Sequence, residues 1–263
     1  MTTMAAEDLA TLRSAVAALE HPGLAARLTT MAGKPIELVG HALPPAVAQA
    51  ITTASSKALE LALHFALRTM RRPPRAGTQL FHKALATASG AAGGAFGLAS
   101  LPVELPLSTV IMLRSIAEIA RGEGEDLSDP EAALACVQVF ALGGRPGSAD
   151  ASDSGYFAVR GVLAKSVTQA ARFIAERGIV EESAPILVRF LTQVASRFGT
   201  VVTQKAAAQA IPVLGLLGGA AVNYAFIEHF QDVARGHFSV RRLERRYGKD
   251  VVQTEYERLA RTH

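Results

Sequence analysis

Two long stretches of this chain carry no charge, residues 84–103 and 206–227. As helices, both are long enough to cross a bilayer. Both are nonetheless built largely from Ala and Gly, and each holds a proline, Pro102 and Pro212. Ala and Gly supply little driving force for transfer into hydrocarbon compared with Leu, Ile or Phe. A chain with two such segments must shelter them, and small side chains let backbones pack closely. The expectation is a buried helical hairpin or a peripheral membrane contact rather than a pair of spans.

The rest of the sequence supports helices throughout. Ala and Leu, both strong helix formers, dominate a composition that is 49% hydrophobic, 6% aromatic and free of Trp. Leu9, Leu12, Val16 and Leu19 recur at spacings of three and four, one face of a helix over Met4–Leu19. Short and long helices are expected at Leu24–Met31, Ala46–Met70, Gln79–Ala92 and Pro106–Arg121. Ser128-Asp129-Pro130-Glu131 combines a polar cap, a proline just inside and an acid in the first turn, so it starts a helix reaching Leu142. Gly143–Gly155 reads as a flexible surface loop. Helices resume at Tyr156–Arg177, Ala184–Phe198, Thr200–Ala210 and Leu214–Ile227, the last continuing as a polar helix to Gly236-His237. Phe238–Tyr247 and Asp250–Arg261 follow.

The architecture expected is all-α: one domain over residues 1–263, a multi-helix bundle that opens on an N-terminal helix within 1–20. Its two Gly/Ala-rich helices, Ala84–Ala99 and Leu214–Ile227, should be central. The single cysteine, Cys136, excludes an intrachain disulfide and suits a reducing compartment. Acids near the N-terminus, where a signal peptide needs a basic start, point to a cytoplasmic protein. A net charge of +4, without dense basic residues interleaved with aromatics, argues against nucleic-acid binding.

One carboxylate stands out. Glu104 lies in an apolar run between Pro102 and Pro106, where a helix begins. An acid there caps the helix, pairs with a buried base such as Arg114, or serves a ligand. Arg114 and Glu118 share a helix face. A second polar group, Asn223, Glu228, His229 and Asp232, has the i, i+3 and i, i+4 spacings that can gather ligands on one helix. Glu104, Arg114, Glu118, Asn223, Glu228, His229 and Asp232 therefore form the candidate polar cluster. No HExxH, P-loop, dinucleotide fingerprint or Gly-x-Ser-x-Gly occurs. No catalytic residue, metal or cofactor is assigned. Two basic groups, Arg68, Arg71, Arg72 and Arg75, then Arg241, Arg242, Arg245 and Arg246, are candidates to face anionic lipid.

Three blocks carry a resemblance: HPGLAARLTTMAGKPIE from His21, the stretch Leu101–Gly144, and the stretch Ile211–Gly248. They resemble the EcsC protein family, named for a bacterial protein encoded beside an ABC transporter. The resemblance implies an all-helical fold and a link to transport or secretion, and no reaction. The function expected is a non-catalytic accessory or regulatory protein, peripheral to the inner membrane and linked to a transporter. The alternatives are a metal-dependent or carboxylate-based hydrolase, or a carrier with an apolar pocket.

Overall fold

The computed structural model describes residues 4–20, 23–33, 35–69, 101–144, 155–177, 184–211 and 219–262. Among them are ten helices and no strand: α1 Ala6–Glu20, α2 Leu24–Ala32, α3 Ile36–His41, α4 Pro45–Thr69, α5 Leu101–Gly122, α6 Pro130–Leu142, α7 Tyr156–Arg177, α8 Pro185–Gln209, α9 Gly219–Tyr247 and α10 Lys249–Ala260. The expected helix Gln79–Ala92 lies outside the described residues. So do the Gly-rich segment Ala84–Ala99, loop residues 145–154 and the start of Leu214–Ile227.

The helix at the centre is α6. Every residue from Ala132 to Leu142 is buried, the mark of a helix enclosed on all sides. Its start follows the cap read from sequence: the Asp129 carboxylate accepts a 3.0 Å hydrogen bond from the Glu131 amide, with Pro130 at the first helical position. Around α6, Phe140 meets Phe198 of α8 and Phe230 of α9, with ring centroids 5.1 and 5.2 Å apart. Phe226 of α9 closes the group against Phe198 and Phe230. Each such pair adds roughly 0.5–1.5 kcal/mol beyond the area it buries.

Three boundaries differ from the sequence expectation. α5 begins at Leu101, so Pro106 lies inside it rather than at its first position. α8 runs unbroken through Gly199, because Phe198, Val201, Val202 and Ala206 keep one face buried on both sides of the glycine. That burial outweighs the roughly 1 kcal/mol a helical glycine costs. α9 likewise continues through Gly236. A Cβ at Gly236 would come within 2.8 Å of Leu19 Cγ on α1, so this glycine permits close helix packing rather than a break. No helix among the described residues is long and apolar enough to cross a membrane.

Candidate functional site

Three helix ends meet at one buried polar node. Glu104 stands in the first turn of α5, where exposed N–H groups favour a carboxylate. Lys205 sits one turn before the C-terminus of α8, the end that favours a cation. Asn223 lies near the start of α9. The Lys205 ammonium donates to Glu104 Oε1 at 2.6 Å and to Asn223 Oδ1 at 2.9 Å. It also lies 4.8 Å from the centroid of the Phe226 ring, an arrangement attractive to a desolvated cation. All three polar side chains are buried. Burial pushes the Lys205 ammonium below its ordinary pKa, and the adjacent Glu104 charge opposes that shift. Gln209, one turn further along α8, buries both amide atoms without a hydrogen-bond partner.

The rest of the sequence-derived cluster does not join this node. At 1.5 Å per residue, Arg114 and Glu118 lie about 15 and about 21 Å along α5 from Glu104. Arg114 is exposed and stacks its guanidinium over Phe65 of α4, 5.0 Å from the ring centroid, instead of turning toward Glu104. Glu118 is half-buried. On α9, Asp232 and Glu228 turn to α2, where Arg27 reaches them at 2.8 and 3.5 Å. Arg235 pairs with Asp232, and the Tyr224 hydroxyl donates to Glu228. His229 Nε2 lies 2.9 Å from the Gly143 carbonyl at the end of α6. Among the described residues, no three of His, Cys, Asp and Glu are grouped to hold a metal.

Lys205 has a sequence signal that lies just outside the uncharged run: it is the one charge between Arg197 and Glu228. A lone cation in such an apolar stretch needs a buried counter-charge, and Glu104 is the matching lone acid.

The second basic group is held in ion pairs. Arg241 grips Glu125 through two 2.9 Å hydrogen bonds, and Arg245 shares that carboxylate. Burial pushes Glu125 up, but Arg241 and Arg245 together bring its pKa below the ordinary value. Arg242 pairs with Glu123 at 2.7 Å and Arg246 with Asp8 at 2.8 Å. Glu244 pairs across to Arg160 of α7, at 2.8 and 2.7 Å, rather than within its own helix. Of the first group, Arg71, Arg72 and Arg75 and the side chain of Arg68 lie outside the described residues.

A second buried network crosses α7 and α9. Arg160 donates to the Tyr156 oxygen at 3.2 Å, which leaves the Tyr156 proton for His237 Nδ1, 2.8 Å away. That direction places the imidazole proton on Nε2, which is buried without a hydrogen-bond partner. The sole thiol, Cys136, is wholly buried in α6, and burial pushes its pKa up to about 12; it is no nucleophile at neutral pH.

Fold and node define an all-α protein whose central lysine–carboxylate pair joins three helices. The chain belongs to the EcsC protein family, whose pattern it matches over residues 6–243. No curated protein and no solved structure matches it.

Proposed function

We propose that this protein is a non-catalytic accessory or regulatory protein that acts at a membrane surface, beside a transport system of the kind its family is named for. One observation carries the reading: the acids available for chemistry are divided between separate ion pairs. Glu104 is neutralised by Lys205, whereas Glu228 and Asp232 are bridged by Arg27 on another side of α9. A hydrolase needs a pair of carboxyl groups, or a carboxylate and a base, facing one reacting atom. These groups instead act as posts between helices.

The membrane part rests on charge. No acid occurs from Leu61 to Val103, while Arg68, Arg71, Arg72, Arg75 and Lys83 do. Such an acid-free basic stretch is drawn to anionic headgroups. Vesicle flotation of the full chain tests it. Binding is expected to vesicles containing phosphatidylserine, weaker binding to phosphatidylcholine alone, and release at high salt. A protein that stays at the bottom of the gradient with both vesicles at low salt would sink the membrane reading.

A carrier role is the second reading. A groove of about 690 Å³ lies between α2 and α9, with Met31, Ala220, Ala221 and Tyr224 among its lining residues. That size suits a small amphipathic ligand. Mass spectrometry of the purified protein under native conditions would reveal a co-purifying lipid.

A further inference from the structure

The groove between α4 and α5 has a volume of about 540 Å³, and Gln49, Thr53, Lys57 and Leu61 of α4 and Pro102 and Pro106 of α5 are among the residues that line it. Exposed large apolar side chains stand on the two helices that form it. Val103 is 79% exposed, Leu107 49% and Leu61 46%. Val103 and Leu107 lie one turn apart on α5, each beside a groove-lining proline. Single exposed apolar residues need no explanation, but a group of them on one face marks an interaction surface.

Two exposed cations stand on this face, and Glu118, one turn beyond Arg114 on the same face of α5, is half-buried. Lys57 lines the groove and is exposed. Arg114 is held over Phe65, one turn beyond Leu61. The single acid of α4, Glu60, lines a different groove with Val188 and Thr192 of α8. Glu104, the acid at the start of α5, is turned inward onto Lys205. Exposed cations beside exposed apolar side chains match the phosphates and the acyl boundary of an anionic lipid surface.

We propose that the α4–α5 groove is the face on which this protein meets an anionic phospholipid surface. Leu61, Val103 and Leu107 enter the acyl boundary, and Lys57 and Arg114 face the phosphates. The inference rests on the membrane reading above and names the surface that carries it.

Site-specific fluorescence tests the surface apart from the reading. Cys136 is buried, so Val103→Cys or Leu107→Cys provides a selectively labelled thiol for a polarity-sensitive dye. Leu38→Cys on α3, at a residue 68% exposed, is the reference. With phosphatidylserine-containing vesicles, emission should shift to the blue at 103 and 107 and stay unchanged at 38. In flotation, the double variant Val103→Asp/Leu107→Asp should bind at least about tenfold more weakly with unaltered circular dichroism, each charge opposing apolar insertion at an exposed site. If the unaltered chain floats while the dyes at 103 and 107 keep their aqueous emission, or if the shift occurs at 38 instead, this surface is wrong and the membrane reading survives. If the unaltered chain does not float, both fall.

Discussion

Lys205 decides what Glu104 is. A buried carboxylate alone invites a catalytic assignment, but with an ammonium at 2.6 Å it becomes half of a salt bridge sealed by Asn223 and Phe226. Removing one partner of such a pair strands the other charge and costs about 3–5 kcal/mol. Lys205→Met should therefore lower the urea midpoint steeply, and Lys205→Met/Glu104→Gln should recover part of the loss, because the stranded charge is gone. A double variant no more stable than the single one would mean that the pair is not coupled as described. His237 gives a pH prediction. Burial, then the fields of Arg160 and Arg241, hold its imidazole well below the ordinary 6.5. A depressed folded-state pKa contributes stability that is full above the unfolded value and is lost as pH falls through the folded one. Stability should thus decline as the pH falls below about 6.5. His237→Gln, whose side-chain oxygen can still accept from Tyr156, should flatten that slope in urea titrations across the same window. An unchanged slope would assign the acid sensitivity elsewhere.

At the scale of elements, the glycines after α6 set how closely helices approach. A Cβ at Gly144 would fall on the Arg197 carbonyl oxygen of α8, and backbone cannot step aside as a side chain can. Overpacking of this kind costs about 1–3 kcal/mol, occasionally more. Gly144→Ala should lower the melting temperature by several degrees, whereas Gly161→Ala, with open space around it, should leave it unchanged or raise it. Equal effects would refute the close approach. Local signals made several elements legible. The Ser128-Asp129-Pro130 cap and the run Tyr156–Arg177 stand in the structure where the pattern placed them. The breaks expected near Gly199 and Gly236 do not occur, because packing across helices overrides propensity at both. α3, squeezed between Pro35 and Pro44, is too short for periodicity to reveal. The node was only half legible. Glu104 and Asn223 stood out as polar residues in apolar runs, but Lys205 lies 101 residues from Glu104, and no local pattern encodes a pairing at that distance.

Over the whole molecule, α1 and the helices α9 and α10, far apart in sequence, fasten each other. α1 packs along α9, Tyr247 donates to Asp8 at 2.7 Å, and Tyr256 of α10 donates to Glu20 at 2.9 Å. α10 lies beyond the family match, which ends at 243, yet Val252, Tyr256 and Leu259 are buried against the bundle. Deleting residues 249–263 should cost several kcal/mol, at about 1.5–3 kcal/mol for each large apolar side chain removed. The loss is measurable as a lower urea midpoint with helicity otherwise retained, and a truncated chain as stable as the full one would show that α10 rides on the fold without supporting it. The closure also sets an order of events during synthesis. Leu12, Val16 and Leu19 on α1 are buried, and α1 packs mainly on α9, which the ribosome makes long after it: Asp8 and its partner Tyr247 lie 239 residues apart. Until then α1 is a sticky strip without its main packing partner. Contacts this distant in sequence slow folding and leave nascent chains open to aggregation. This bundle closes only when α9 and α10 arrive, so its yield in a cell depends on what shelters α1 in the meantime.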